Sequence, residues 1–145
     1  MTGRITMWGA GEFLTTFFGQ TTEPPGDFYF ALIKDVTPTA YVSGSELDEP
    51  IGNTYTRAQI PNDGSTWVST GQPHVVSMGV EITFPEAFED WGTIRHWALT
   101  NAPVDGFVYC VGSLSTPLVV QAGDTVRIPD GNITVSIGPF FASEN

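Results

Sequence analysis

The stretch "TIRHWALTNAPVDGFVYCVG", residues 93–112, predicts two β-strands joined by a turn. The segments "TIRHWALT" and "GFVYCVG" are rich in the β-branched and aromatic residues that favour strands. The segment "NAPVDG" between them contains Asn, Pro, Asp and Gly, which favour turns for separate physical reasons. The stretch therefore predicts a β-hairpin, and the neighbouring sequence can be interpreted from it.

Short strand patterns also lie on both sides of this hairpin. The segment "DFYFALIK", residues 27–34, is apolar on both faces, which is typical of a central strand. The other predicted strands lie in the segments "TYTRAQI", "STWVS", "HVVSMGVEITF", "PLVVQ", "TVRI" and "ITVSI". Turn signals such as "AGD" and "PDGN" recur every 8 to 12 residues or so. This spacing predicts a mainly β chain, folded as a single antiparallel β-sandwich or barrel-like domain.

The N-terminal segment has a different period. Between residues 5 and 19, Met7, Ala10, Leu14 and Phe17 or Phe18 recur at helical spacing, and Gly19 suits a helix end. The following segment "QTTEPPGD" is a connector, because proline and glycine favour turns. We therefore expect one domain, with a short helix and linker in residues 1–25 and the β-sandwich core in residues 26–145.

Composition excludes several classes of function. The chain has 145 residues, of which 41% are hydrophobic, and 16 acidic residues against five Lys and Arg give a net charge of -11. A nucleic-acid-binding protein needs a concentrated basic surface, and an anionic membrane surface would repel this chain. No segment has the roughly 18 apolar residues that a membrane span requires. We expect a folded, soluble protein with neither a nucleic-acid nor a membrane partner.

The acidic segment "EAFEDWG", residues 86–92, predicts a single helical turn after Pro85. In this interpretation Phe88 and Trp91 point inward, while the carboxylates of Glu86, Glu89 and Asp90 face water. An acid/base pair would require one carboxyl group in an apolar pocket with a raised pKa, and the sequence gives no sign of one. We therefore interpret the segment as a corner of the fold and not as a catalytic site.

Metal and nucleophile patterns are also missing. His74 and His96 are 22 residues apart with no ligand spacing around them, so we expect His96 on a strand, exposed or hydrogen-bonded. The lone Cys110 lies in an apolar run, which predicts a buried, unreactive thiol. The loop acids Glu46, Asp48 and Glu49 lack the spacing of a calcium loop. No catalytic residue, metal or cofactor is therefore predicted, and we do not expect an enzyme.

The stretch "VEITFPEAFEDWGTIRHWALTNAPVDGFVYCVGSL", followed by "VVQAGDTVRIPDGNITVSI", resembles small virion proteins of tailed bacteriophages that are often labelled tail fibre proteins, especially in phages of actinobacteria. The similarity covers nearly the whole chain, but His96 and Trp97 stand where smaller or more apolar residues are common. The resemblance implies a structural component of the particle with no catalytic residue to transfer. The motifs that carry it are Ile82–Pro85, Trp91 with Gly92, Ala122–Thr125 and Gly131–Val135.

The first hypothesis is a decoration or accessory protein on the capsid exterior, because the chain has no repeats or coiled segments that would build a long fibre. The alternative is a tail fibre or minor tail component. In both cases we expect a virion protein, assembled in the host cytoplasm, that contacts capsid or tail proteins and forms a homo-oligomer, with a trimer favoured. The expected contact residues are the N-terminal aromatic side chains Trp8, Phe13, Phe17 and Phe18.

A hypothesis from a different class is a carbohydrate-binding module for host attachment. Exposed aromatic rings stack on sugar faces, and Tyr55 and Trp67 are the candidate contacts. This hypothesis requires both rings to lie at the surface.

Overall fold

The computed structural model describes residues 2–19, 26–52, 54–72 and 75–136, and most of their regular structure is β-strand. Within these ranges there is one α-helix, α1 (Met7–Phe17), and a short 3₁₀ turn at Gly44–Glu46. The strands, in chain order, are β1 Thr2–Ile5, β2 Asp27–Ile33, β3 Ala58–Pro61, β4 Trp67–Ser69, β5 Val75–Met78, β6 Ile82–Thr83, β7 Gly92–Thr100, β8 Val108–Val120, β9 Arg127–Ile128 and β10 Thr134–Ser136.

Eight of these strands form one large sheet, in the order β3-β2-β7-β8-β1-β10-β5-β4, and β6 pairs with β9 in a second, two-stranded sheet. Neighbouring strands are antiparallel except for β1 and β10, which run parallel. The large sheet curls into a half-barrel. The prediction of a mainly β fold with a short N-terminal helix is therefore confirmed, and the curled sheet matches the barrel-like alternative.

The predicted β-hairpin is the centre of the sheet. β7 and β8 pair from Gly92 with Val120 to Thr100 with Val108, and the "NAPVDG" turn joins them. β8 is longer than expected, because the segments "GFVYCVG" and "PLVVQ" form one strand. Pro117 is tolerated there because it lies in the register break between the pairs Ile94–Leu118 and His96–Ser113, where the regular ladder is interrupted.

The predicted strand over "HVVSMGVEITF" is divided in two. β5 ends at Met78 and belongs to the large sheet, whereas β6 begins at Ile82 and pairs with β9. The chain turns at Gly79, whose N–H donates to the Thr66 carbonyl at 2.6 Å. Ile82 is buried, whereas Val80, which lies in the break between the two strands, is exposed.

The N-terminal helix is confirmed, and it ends just before Gly19. A strand that the sequence analysis did not predict precedes it. β1 lies between β8 and β10, so the first residues of the chain are part of the sheet and not only of a helix and linker.

The sheet is apolar on both faces where it is covered. The inner face packs against the β6/β9 sheet and the segment 84–91, with Phe30, Leu32 and Trp97 fully buried. The outer face of β2 and β7 packs against the segment 42–47, where Ala31, Ile33 and Ala98 are buried. The prediction that β2 is a central strand with two apolar faces is therefore confirmed.

The indole ring of Trp97 lies across the backbone of two neighbouring strands. Trp97 pairs with Gly112 on β8, and Gly112 pairs with Gly3 on β1. A Cβ atom would lie 2.5 Å from the indole at Gly112 and 2.2 Å from it at Gly3, both far inside van der Waals contact. The two glycines therefore form a slot for the ring, which is completely buried.

We expect Gly112→Ala to lower the free energy of unfolding by about 1–3 kcal/mol, because the added methyl group overlaps the indole and forces a shift in the packed core. Urea denaturation followed by tryptophan fluorescence measures the change. Gly64→Ala is the matched control, since a Cβ there meets nothing within 4 Å and its effect should stay within about 0.5 kcal/mol. Equal effects at the two positions would show that the ring does not require the slot.

Candidate interaction surface

Helix α1 is fixed to the sheet at its N-terminus by Thr6 and Gly9. The Thr6 hydroxyl caps the helix by accepting a hydrogen bond from the Gly9 N–H at 3.1 Å, and it donates to the carbonyls of Val108 and Tyr109. The Thr6 N–H also donates to the Tyr109 carbonyl at 2.8 Å. A Cβ at Gly9 would lie 2.1 Å from that carbonyl oxygen, so only glycine lets the helix approach β8 this closely.

The aromatic residues predicted as contacts lie at the surface. Trp8 and Phe13 are about half exposed, at 50% and 48%, and Phe17 and Phe18 are 70% and 68% exposed. The rings contact each other or the neighbouring loop: Trp8 stacks on Phe107 with centroids 4.6 Å apart, and Phe17 lies 5.8 Å from Phe13 and 5.1 Å from Phe18. Their role as contacts for another protein stays a prediction.

The orientation of α1 is the reverse of that of an ordinary surface helix. We call the side of α1 that faces solvent its outward face. It consists of six exposed residues, all apolar or small: Met7, Ala10, Gly11, Leu14, Phe17 and Phe18. The polar side chains Glu12 and Thr16 instead lie on the side that faces the sheet. A surface helix normally turns its polar face to water. The outward face of α1 therefore has the composition of a buried surface.

A pocket of about 330 Å³ separates α1 from the inner face of the sheet. Phe28 forms its aromatic wall, with edge-to-face contacts to Trp67 at 5.8 Å and to Tyr109 at 5.4 Å. The lining is mostly apolar and consists of Ile5, Gly9, Glu12, Phe13, Thr16, Phe28, Asn62, Trp67, Val76, Leu99, Tyr109, Cys110 and Val135.

The two candidate sugar-contact residues lie in different places, and neither is exposed. Tyr55 packs between Phe84 and Trp91; its hydroxyl donates to Glu49 at 2.6 Å and accepts from the Leu32 N–H. Burial, with the nearby Glu49 carboxylate, raises the pKa of Tyr55. The expectation that Tyr55 is exposed is therefore wrong, because its hydroxyl completes a buried hydrogen-bond network. Trp67 is half-buried in the pocket wall.

The acidic segment at residues 86–90 is a corner without helical structure. Ala87 and Trp91 are held by backbone hydrogen bonds to Asp124 and Val120, so the segment runs irregularly along the end of β8. Trp91 is buried as predicted, but Phe88 is 67% exposed, and its predicted inward orientation is wrong. Without a helical turn, Phe88 and Trp91 do not share a face. The carboxylates of Glu86, Glu89 and Asp90 are exposed as predicted.

The other candidate metal ligands are engaged separately. His96 lies half-buried on β7, with Nδ1 2.9 Å from the Ser113 hydroxyl and Nε2 3.3 Å from the Thr37 hydroxyl, as expected for a hydrogen-bonded strand residue. Burial, and to a smaller extent Arg95, lowers the pKa of His96. Glu46 accepts from the Ser43 N–H, and Asp48 accepts from the N–H groups of residues 35 and 36. Within the described ranges, no three His, Cys, Asp or Glu side chains are grouped to hold a metal ion. His74 lies outside the described residues.

Comparison of the sequence with known protein families identifies the family of this chain. The model of the family described as "Podophage GP4 fiber I protein gp80" matches residues 5–136, from the end of β1 to the end of β10. The chain belongs to this Gp80 family of phage fibre proteins. The resemblance to phage tail fibre-type proteins is therefore confirmed. A search of curated proteins found no match.

Family membership supports a structural, virion-associated role for this Gp80-family chain. The match includes the whole of α1 and the hairpin of β7 and β8, so the exposed aromatic helix is within the family's common region. No helix among the described residues is long and apolar enough to span a membrane.

Sequence reasoning missed one buried polar centre of the Gp80-family chain. The guanidinium of Arg57 is 2% exposed and pairs with both carboxylate oxygens of Glu49, at 2.9 and 2.8 Å. It also donates to the Thr100 hydroxyl and to three backbone carbonyls, those of Gly44, Ala102 and Asp105. Arg57 thereby ties the loop at residues 44–49 to the turn between β7 and β8. The alternating pattern of "TYTRAQI" gave no signal for this, since a charged residue there is normally solvated.

We expect Arg57→Ala to lower the free energy of unfolding by about 3–5 kcal/mol, because it leaves the half-buried Glu49 carboxylate and three carbonyls without their donor. The control is Arg95→Ala, which removes the exposed Arg95–Asp35 pair, whose N and O atoms are 3.1 Å apart, and should cost about 0–1 kcal/mol. Urea denaturation compares the two variants. Similar losses would contradict a central role for Arg57.

Cys110 is buried as predicted, and burial raises its pKa to about 12. At pH 8 roughly one thiol in ten thousand is then a thiolate, and the thiolate is the reactive form. We expect the native protein to react with a thiol-specific chromogenic disulfide reagent at least about 100-fold more slowly than the urea-unfolded chain. Comparable rates would mean that the thiol is accessible in the native state.

Proposed function

We propose that this Gp80-family protein is a non-enzymatic structural subunit of a phage tail fibre, and that it attaches to neighbouring subunits through the outward face of α1. The observation that carries the proposal is the composition of that face. Leu14, Phe17 and Phe18 are 51%, 70% and 68% exposed, and the face bears no charged residue. Contiguous apolar surface of this kind marks protein–protein contact sites.

Anchoring at the N-terminus supports the same proposal. Thr6 and Gly9 hold α1 to β8 through backbone contacts, so the apolar residues are presented on a fixed element and not on a mobile tail. Preorganised aromatic anchors lose little conformational entropy on binding, which is why such residues carry much of the energy of interfaces. The family match supports the fibre as the location.

A position on the capsid exterior is the second candidate. It is favoured by the compact acidic chain, with net charge -11, which has none of the repeats or heptads that extend a fibre. In either location the acidic surface would face solvent or a basic neighbour.

We expect Phe17→Asp with Phe18→Asp, introduced into the phage, to remove the protein from purified particles, because two carboxylates would be buried in the contact. Val36→Asp is the control: Val36 is 63% exposed but lies outside α1, so incorporation should be unchanged. Quantitative immunoblotting of particles measures incorporation. Normal incorporation of the double variant would contradict attachment through α1.

Immunogold labelling of intact wild-type particles decides the location. Label on the tail fibres is expected. Label confined to the head would establish the capsid candidate and overturn the fibre assignment.

A further inference from the structure

The outward face of α1 is large enough to form the centre of a protein interface. An aromatic side chain offers on the order of 200 Å² of surface. Given the exposed fractions of Met7, Leu14, Phe17 and Phe18, the face presents on the order of 500 Å² of apolar area. A standard interface buries about 800 Å² on each partner. The face therefore supplies more than half of what one stable contact requires.

The charge distribution distinguishes between possible partners. A basic protein would be recognised by the acidic surface of this chain, not by a face that has no charge. Two copies of the chain, each with a net charge of -11, repel one another, and this repulsion opposes association least at a surface that is free of carboxylates. The single charged residue of α1, Glu12, lies on the opposite side of the helix, at the pocket. The uncharged face is therefore suited to a second copy.

The order of small and large residues along the face is self-complementary. Leu14 lies at its middle, with Gly11 three residues before it and Phe17 three residues after it. Ala10 and Phe18 are related in the same way, four residues on either side. If two α1 helices cross antiparallel at Leu14, the two rings Phe17 and Phe18 of each copy lie over the small residues Gly11 and Ala10 of the other. A Cβ at Gly11 would meet nothing within 4 Å, so space for the ring is present.

We propose that the outward face of α1 binds the same face of a second copy, in an antiparallel pair with Leu14 at the two-fold axis. This proposal rests on the proposed role of the face as the attachment surface and names its partner. A parallel arrangement would place Phe17 against Phe17 and Gly11 against Gly11, which crowds one end and leaves a gap at the other. The antiparallel two-fold contact avoids both costs. The trimer favoured from the sequence is therefore the competing outcome.

Sedimentation equilibrium of the purified full chain gives the first test. The wild-type protein should be a dimer, and Leu14→Asp should raise the dimer Kd at least about 100-fold, because two carboxylates would face each other at the axis. Val36→Asp changes the net charge equally at an exposed position outside α1 and should change the Kd by less than about 3-fold. A monomer at all concentrations, a trimer, or equal effects of the two variants would overturn the proposal.

Gly11→Leu separates specific packing from general stickiness. The substitution adds apolar surface and favours the helix, so circular dichroism should show a helix at least as stable as that of the wild type. It also fills the space that the phenylalanine rings of the second copy occupy, so the dimer Kd should rise at least about 10-fold. A Kd that falls would mean that any added apolar group promotes association, and the antiparallel arrangement would be wrong.

Cysteine cross-linking tests the symmetry. Leu14→Cys should form a disulfide-linked dimer under mild oxidation, since a residue at a two-fold axis meets its own copy. The control Ser115→Cys, at an exposed position on β8, should form no disulfide-linked dimer. The native Cys110 does not interfere because it is buried. No cross-link at Leu14→Cys would overturn the crossing point.

A monomeric protein that still requires Phe17 and Phe18 for incorporation into particles would refute the pair and leave the proposed function intact. A dimer that is absent from particles would support the antiparallel pair and refute the proposed function.

Discussion

The packing of Trp97 across Gly112 and Gly3 is the contact on which the arrangement of the molecule depends. The indole ring spans from β7 over two neighbouring strands, and the missing side chains of the two glycines give it room. Because the ring is fully buried, the contact contributes a large apolar surface to the inner core. It also fixes β1 beside β8, and the position of β1 determines where α1 begins. Thr6 and Gly9 then hold the first turn of the helix to the backbone of β8.

A second constraint acts in the loops around Arg57. Arg57 satisfies carbonyl groups from two separate loops and pairs with Glu49, so one buried guanidinium replaces the regular hydrogen bonds that these loops lack. Tyr55 extends the same network through its hydroxyl bond to Glu49. Buried charges are tolerated only when they are fully paired, which explains why the polar atoms of this centre have several partners each. The carboxylate of Glu49, one of the three loop acids of the sequence analysis, is therefore partly buried in this network.

Neither of these two constraints covers the outward face of α1, which is apolar but faces water. The inner core of the sheet is buried, whereas the outward face of α1 turns Leu14, Phe17 and Phe18 to solvent. In a chain with a net charge of -11, most of the surface favours separation of the molecules. In the proposed function, an uncharged aromatic face on such a chain concentrates association at one place. This is the property that a structural subunit of a phage fibre needs, since assembly requires contacts that are specific and few.

The sequence by itself determined the class of the fold, the helix and the central hairpin, because these follow from local periodicity and turn chemistry. It also determined the burial of Trp91 and Cys110. Only the tertiary structure decided in which direction the apolar stripe of α1 points, since a helical period identifies a face but not what covers it. The same limit explains Phe88 and Tyr55, whose exposure depends on distant segments that pack around them. The break between β5 and β6 and the burial of Arg57 likewise arise from long-range pairing, which no local pattern encodes.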